Sequence, residues 1–444
     1  MSKKTFPHGI HPPEKKGTTS ALSIRRFPFA PHFIVPLSQH AGRPARPVER
    51  KGQEVRRGEP IAEADGFVSV PIHSPVTGVV KNIGLSPNAF GQMAPAIFIE
   101  PYAASGQVVE FRRDHQNDLL ALSPQEIVKA VQETGMVGLG GAAFPTHVKL
   151  AVPPGKSVDT FLVNGIECEP YLTTDHRVML ENSAYIFKGI ALFMKATGAK
   201  RAIIGIEANK PDAIALLRAN NPDPARISVE ELEVKYPQGA EKMLIKALLG
   251  REVPSGGLPV DIHVVVSNVA TIAETAKLLE RGEGLIERVV TVTGDGVERK
   301  GNYIVPLGTP LRFLLEQAGF KGDASQVILG GPMMGAAVSS LDVPVTKGVS
   351  GVLVISGENA AQRDVKEYPC IRCGSCVNAC PMFLNPSRLG ALAKKRRYEE
   401  MADEFNLFDC FECGSCSYVC PSGIPLVHYF RVSKGIVREK RMPS

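Results

Sequence analysis

At 444 residues the chain is too long for a single hydrophobic core, and two to four domains are expected. Hydrophobic residues at 44% and charged residues at 22% are ordinary globular composition and argue against long disorder. A net charge of +6 over this length does not mark a nucleic-acid-binding chain, whose basic residues concentrate on one face; it suits an acidic electron carrier or an anionic lipid surface equally well.

The N-terminal stretch MSKKTFPHGIHPPEKKG has neither an apolar core nor a small-residue cleavage site, so a secretory signal is not expected. Nor does the chain hold an apolar run of 18 residues, and no transmembrane helix is predicted. Both point to a cytosolic protein, or one attached to the cytosolic face of a larger assembly.

Residues 1–115 are rich in Pro and Gly. FIVPL (33–37), GFVSVPIHSPVTGVVKNI (66–83) and APAIFIEP (94–101) read as strands broken by turns. The SPVTG-Val-Val sequence resembles the hairpin of biotinyl- and lipoyl-type β-sandwiches, which present a modified lysine at a hairpin tip. The corresponding stretch here, EADGFVS (63–69), has no lysine, so the fold is expected without the carrier function.

Residues 123–135 form a predicted helix, capped by Ser123, started by Pro124 and closed by Gly135. A glycine-rich loop follows at 138–141. Buried-type strands at 161–167 and 201–208 then alternate with helices near 183–197 and 209–220, and 260–282 repeats the strand–turn–helix theme, which is α/β patterning. Residues 288–320 read strand, hairpin, strand, helix, a small β-grasp-like unit completed by the turn GGPMMG (330–335) and the strand GVLVI (351–355). The segments expected are therefore 1–115, 116–285, 286–360 and 361–444.

Eight of the nine cysteines lie between Cys370 and Cys420, in two copies of C-x2-C-x2-C-x3-C-P offset by 40 residues. This is the bacterial ferredoxin spacing: three close cysteines take three corners of a cubane, the fourth ligates the other cluster, and the proline turns the chain away. Two [4Fe–4S] clusters follow, one on Cys370, Cys373, Cys376 and Cys420, the other on Cys410, Cys413, Cys416 and Cys380. Zinc ribbons pair cysteines as C-x2-C instead. Gly374 and Gly414 allow backbone to approach sulfur, and Ile371 and Phe411 are apolar neighbours expected to shield the clusters. The stretch between the motifs should be mostly helix, with Lys394, Lys395, Arg396 and Arg397 on a solvated face. Cys168 reads as a small buried hydrophobe. No histidine pair has metal-ligand spacing.

The loop GLGGAAFPTHVK (138–149) suits a phosphate or a ring edge. It follows a helix, so it is not a Rossmann fingerprint. With VNGIECEP (163–170), YPQGAEKML (236–244) and SNVATIAET (267–275), it resembles the flavin- and NADH-binding subunit of respiratory complex I and, over essentially the whole chain, the peripheral RnfC family of Rnf membrane complexes. The resemblance implies FMN in a pocket of non-Rossmann type and NADH as its electron donor. Gly138, Gly140 and Gly141 would line the pocket, with Lys149 at the phosphate or ring edge. Asn164 and Glu167 would lie at the flavin-contacting strand end, Tyr236 near the isoalloxazine, and Asn268 and Thr271 at the FMN phosphate. Phe144 would stack nicotinamide, Glu169 would meet the adenosine ribose, and Glu241 would lie near the bound nicotinamide cofactor. The family's GGAGFP reads GGAAFP here, with Ala143 for Gly, and the G-E-E of complex I reads Gly239-Ala240-Glu241.

The same resemblance implies exchange of electrons between NADH and ferredoxin, integral membrane subunits as partners, and a peripheral place on the cytoplasmic face of the membrane. A soluble NADH dehydrogenase module and a cluster-bearing adaptor without nucleotide chemistry are the competing expectations.

Overall fold

The computed structural model describes residues 3–113, 118–320, 322, 324–357 and 366–441; the boundaries expected near 115 and 360 lie outside the described residues. The chain opens with an arm that crosses the α/β unit, where Ile10 and Tyr236 exchange backbone hydrogen bonds of 2.8 and 2.9 Å. The arm ends in β1 (Ile24–Arg26), an edge strand parallel to a β-grasp strand nearly 280 residues later. No local period announces such an arm, because every partner that holds it is remote in sequence.

The barrel-sandwich unit has two small antiparallel sheets. β2 (Phe33–Pro36), β3 (Arg46–Pro47), β4 (Glu54–Val55), β5 (Pro60–Glu63), β6 (Ile72–His73), β7 (Gly78–Pro87) and β8 (Met93–Pro101) pair in the orders β2-β8-β7-β4 and β3-β5-β6. Alternation places Phe33, Val35, Ile61, Ile72, Val80, Ile97 and Ile99 in the shared core.

The α/β unit begins with α1 (Pro124–Glu133), whose Ser123–Glu126 capping box is formed. The glycine loop leads into the short α2 (Thr146–Leu150), and then β9 (Thr160–Gly165), α3 (Thr174–Glu181), α4 (Ser183–Thr197), β10 (Arg201–Glu207), α5 (Pro211–Ala219), β11 (Ile227–Leu232), α6 (Glu241–Leu249), β12 (Val264–Asn268) and α7 (Val269–Arg281). The four strands are parallel in the order β11-β10-β9-β12, so the chain winds outward from β9 on one side and returns to its other side at β12. That reversal opens a crevice at the C-terminal ends of β9 and β12, where such sheets bind ligands. Helices α4 and α7 pack closely at Gly189, where an added Cβ would lie 2.4 Å from the Ile272 carbonyl oxygen.

The β-grasp unit comprises β13 (Glu287–Gly294), β14 (Gly301–Pro306), α8 (Leu311–Gln317), β15 (Ala324–Leu329), β16 (Ala336–Ala337) and β17 (Gly351–Ser356), in the sheet order β1-β14-β13-β17-β15-β16. Helix α8 buries Leu311, Leu314 and Leu315 against it. Fully buried Lys347 joins three units: its ammonium donates to Pro71 O of the sandwich at 2.9 Å and to Gly135 O of the α/β unit at 2.7 Å.

The cysteine repeat is also a structural repeat. Helices Ser375–Ala379 and Ser415–Tyr418 start at the two motifs, and Pro386–Lys394 and Leu426–Arg441 follow them. Between the motifs the stretch is mostly helix, as expected, in two pieces, Pro386–Lys394 and Tyr398–Asp403, with Arg396 at φ +56° between them. The basic run therefore turns a corner instead of lining one face: Lys394 pairs with Glu367 and Arg397 with Glu400, while Lys395 and Arg396 face solvent.

Two measurements test this architecture. Gly189→Ala should push α7 from α4 and cost about 1–3 kcal/mol, read as a lower thermal midpoint. Burial pushes the Lys347 ammonium down from 10.5 to about 7. Between those values the unfolded chain holds a proton the folded chain has released, so stability contributed at this site rises with pH. Wild type relative to Lys347→Met should gain up to about 3 kcal/mol between pH 7 and pH 9, measured by denaturant titration.

Candidate functional site

The crevice is built at the end of the parallel sheet. Asn164 and Asn268 are register partners there, at the last turns of β9 and β12. Asn164 is held by its amide donating to Gly239 O at 2.8 Å and its carbonyl accepting from Ile166 N at 3.1 Å. Asn268 caps α7, accepting from Thr271 N at 3.1 Å, so the positive end of the helix dipole opens beside it.

The glycine loop folds over this point. Gly138 N donates to Phe144 O at 2.8 Å, closing the loop, and Leu139 N donates to Thr271 Oγ1 at 2.8 Å, fastening it to α7. A Cβ on Gly140 would lie 3.4 Å from Asn268, whereas Gly141, at φ +106°, faces open space. Ala143 takes φ +48°, the conformation for which glycine is the unstrained choice, so the departure from GGAGFP preserves the backbone path at a small cost. Phe144 is half-buried. Lys149, exposed on α2, donates to Glu241 Oε1 of α6 at 2.6 Å and to Val266 O at 3.3 Å.

Gly138, Gly140, Gly141, Lys149, Asn164, Glu241, Asn268 and Thr271 thus converge on one crevice. Its exposed wall is nearly free of side chains, with a cation and a helix N-terminus at hand. That donor set fits a phosphorylated, flat-ringed ligand such as FMN.

Three other expected residues point elsewhere. Glu167 is buried, and its Oε1 accepts from Asp175 N at 2.8 Å and Thr174 Oγ1 at 3.1 Å. Neighbouring Asp175 accepts from Asn268 Nδ2 at 2.7 Å; burial, then the Glu167 charge, pushes its carboxyl up. The Glu169 carboxylate accepts from Met333 N at 3.1 Å and Met334 N at 2.8 Å, gripping the β-grasp turn GGPMMG. Burial pushes it up to about 7 against those two donors. Tyr236 is 1% exposed, and its hydroxyl donates to Cys413 O at 2.6 Å. Burial holds the phenol far above its ordinary value, so it remains a neutral donor. The arm residue Lys16, which donates to Glu169 O and Leu172 O, escaped the sequence reading; it acts through partners far along the chain.

The two cysteine loops share one conformation. Arg372 and Glu412 lie at φ +57° and +63°, and Gly374 and Gly414 at +78° and +85°, which turns successive backbone N–H groups inward towards the thiols. The eight thiols are free and fall into two sets. After burial, the charges of Cys410, Cys413 and Cys380 push Cys416 up, and Cys420 and Cys370 act likewise on Cys376. In each set the fourth cysteine of the other motif is thus among the charges that act on the triad.

The sets differ in surroundings. Cys380, Cys413 and Cys416 are buried, and the carbonyls of three members are gripped: Cys413 O by Tyr236, Cys410 O by Lys434, and Cys380 O by His8 Nδ1 at 3.1 Å. Met333 packs at Gly414. In the other set Cys370 and Cys373 are exposed. Ile371, expected to shield a cluster, is 67% exposed, with Tyr368, Phe383 and Tyr418 also at the surface; Phe411 is partly buried against the inner set. Ile371 therefore does not cover the outer set within this chain.

Comparison with known proteins agrees with this layout. Residues 4–103 match the RnfC barrel sandwich hybrid domain, 131–277 the Nuo51 FMN-binding domain, 289–337 the SLBB domain and 368–424 a 4Fe-4S dicluster domain. Over 97% of this chain and 93% of its own length, the C subunit of the proton-translocating ferredoxin:NAD(+) oxidoreductase complex of Clostridium ljungdahlii is 45% identical. The Na(+)-translocating counterpart of Acetobacterium woodii is 41% identical over 98% of both. The chain belongs to the RnfC family. A third relative, the C subunit of the ion-translocating oxidoreductase complex of Pseudomonas aeruginosa, is 42% identical over 98% of this chain but only 56% of its own length. Among solved structures, NAD+-reducing [NiFe]-hydrogenase in its air-oxidised state shares the fold, with a TM-score of 0.51 and 22% identity over 67% of this chain and 60% of that one. This RnfC-family chain accordingly combines the FMN-binding domain of the complex I flavoprotein with an SLBB β-grasp and a dicluster domain.

Tyr236→Phe removes the hydroxyl that holds the Cys413 carbonyl. We expect the potential of the inner cluster to fall by tens of mV, the one-electron equivalent of about 1 kcal/mol, with FMN content and the outer cluster unchanged in an EPR-monitored titration.

Proposed function

We propose that this chain is the peripheral electron-transfer subunit of an Rnf-type ion-translocating complex, exchanging electrons between NADH and ferredoxin or membrane partners. The observation that carries the reading is the direct joint between the α/β unit that forms the crevice and the inner thiol set, made by Tyr236 and Cys413. FMN, when bound, accepts a hydride's two electrons and releases them singly, which is the conversion that one-electron clusters need.

In this reading Gly138, Gly140 and Gly141 let a flat ring and its phosphate approach backbone N–H groups, and Asn268 and Thr271 hold the phosphate end at the α7 terminus. Lys149 and Glu241 form a neutral pair at the ring edge, while Asn164 orients the far side. Phe144 borders the nicotinamide position. Glu167, Glu169 and Tyr236 act from behind, fixing the strand end, the β-grasp turn and the inner cysteine loop. Cys380, Cys410, Cys413 and Cys416 hold the inner cluster and Cys370, Cys373, Cys376 and Cys420 the outer one, so electrons entering from NADH reach the inner set first.

The exposed outer thiols, with exposed Ile371 between Cys370 and Cys373, suit contact with a partner that takes the electron onward. No helix among the described residues is long and apolar enough to cross a membrane. Ion translocation in this reading therefore belongs to integral membrane subunits, with this chain peripheral on the cytoplasmic face.

Anaerobic NADH titration of the FMN- and iron-replete protein tests the order. In Cys373→Ser, NADH should still reduce FMN and the inner cluster. In Cys413→Ser it should reduce FMN while the outer cluster stays oxidised. Reduction of the outer cluster at the wild-type rate in Cys413→Ser, or no bleaching of FMN by NADH in wild type, would sink the reading.

A further inference from the structure

We propose that Lys434 sets the potential of the inner cluster: its buried ammonium favours the extra negative charge that reduction brings, while the matching lysine of the other repeat leaves the outer cluster alone. The inference deepens the function proposed above and rests on its assignment of the two cysteine sets. Lys434 lies on the last helix, Leu426–Arg441, whose buried face is Leu426, Val427, Phe430, Ser433, Lys434 and Val437. That spacing is the core-facing stripe of an amphipathic helix, and an ammonium stands where an apolar side chain is expected. Lys434 is only 5% exposed. Burying an ammonium costs free energy unless partners of opposite polarity meet it, so its partners decide what the charge does.

Those partners belong to the inner cysteine loop. The Lys434 ammonium donates to Cys410 O and, at 2.9 Å, to Glu412 Oε1. Arg431, on the preceding turn of the helix, donates to Glu412 Oε2 at 3.0 Å. Glu412 stands between Cys410 and Cys413, and its own N–H donates to Cys410 Sγ at 3.4 Å. Burial pushes the Cys410 thiol up, while the Glu412 N–H and the Lys434 charge oppose it, so the ammonium favours negative charge at that sulfur. Two cations and one carboxylate leave one net positive charge at the loop. A cubane held by four thiolates gains one negative charge on reduction, and burial disfavours that state. An ammonium in the same low-dielectric surroundings favours it and acts with little screening. The inner set is the more buried of the two, and Lys434 offsets the cost of that shielding.

The repeat supplies its own control. In the first copy Lys394 holds the position of Lys434, Ala391 that of Arg431 and Arg372 that of Glu412. Lys394 turns to Glu367 and lies 5.9 Å from the Tyr429 ring centroid, with 45% of its side chain exposed. Its charge is paired and screened by solvent, and exposed Arg372 is screened likewise. One position of the repeat therefore carries a lysine in both copies, and the fold lets it act on one cluster.

The test is an EPR-monitored titration of full-length FMN- and iron-replete protein, poised with dithionite and redox mediators and without NADH. The inner signal is the one that Cys413→Ser alters and Cys373→Ser leaves. Lys434→Gln keeps an N–H for the Cys410 carbonyl but loses the charge. In it the ratio of reduced to oxidised inner cluster at a fixed potential should fall about tenfold, the effect of a unit charge at about 10 Å in a protein interior. For one electron that is a shift of about 59 mV. Lys434→Arg restores the wild-type ratio, Glu412→Gln raises it, and Lys394→Gln moves neither cluster. A merely structural role would not reverse sign between Lys434→Gln and Glu412→Gln, and Glu412→Gln decides the matter if Lys434→Gln fails to take up iron. An unchanged inner ratio in Lys434→Gln, a fall in Glu412→Gln, or an outer cluster that moves as far as the inner one overturns the inference. Signals that follow neither cysteine change overturn the assignment of the two sets and this inference with it. Failure of NADH to bleach the flavin would defeat the proposed function alone, because NADH takes no part in this titration.

Discussion

A buried hydrogen bond ties the two halves of the molecule together at the inner cysteine loop. The Tyr236 hydroxyl, buried and neutral, meets the carbonyl of Cys413, so the α/β unit that forms the crevice grips the inner cysteine loop directly. A shared reaction path between an FMN-binding domain and a dicluster domain needs the distance between them fixed, and two domains on a flexible linker would not fix it. Here the joint is over-determined. His8 of the N-terminal arm holds Cys380 O, Lys434 of the last helix holds Cys410 O, and Met333 of the β-grasp turn packs on Gly414. Each of the three comes from a different part of the chain.

The same logic explains why an SLBB unit and an arm accompany the flavin core. Glu169 stands next in the chain to the crevice strand, yet its carboxylate is occupied by the β-grasp turn that carries Met333. Lys16 of the arm fastens the segment between Glu169 and Leu172 from the other side. Lys347 does for the sandwich what Tyr236 does for the clusters, closing three units on one buried ammonium. Burying these charges costs free energy that only well-placed partners offset, and such networks hold one arrangement in preference to others.

The two cluster sets have nearly identical loops and unlike settings. Matching positive φ values at Arg372 and Glu412, and at Gly374 and Gly414, show that the 40-residue repeat is a repeat of backbone geometry. Exposure then divides their work. The inner loop is clamped and its thiols largely shielded, while Cys370 and Cys373 are open to solvent beside exposed Ile371. Ile371 and Phe411 occupy equivalent positions in the repeat, and only Phe411 is covered, because only its loop faces the core. A cluster potential depends on burial and hydrogen bonding, so one motif used twice need not yield one potential.

Much of this was legible in the residues alone. The ferredoxin spacing, the capped helix after Ser123, the α/β alternation and the glycine loop all follow from patterns spanning a few residues to a few dozen, and thiolate chemistry or helical periodicity reads directly at that range. The clustering of Gly140, Lys149, Asn164, Glu241 and Asn268 did not follow from spacing. It depends on the strand order β11-β10-β9-β12, which opens the crevice between two strands about 100 residues apart. The inward turn of Glu167, Glu169 and Tyr236, the corner at Arg396 and the burial of Lys434 were decided only in three dimensions. Each is a contact between segments with no local pattern in common, and the free energy of such contacts lies in burial and geometry that a linear sequence does not carry.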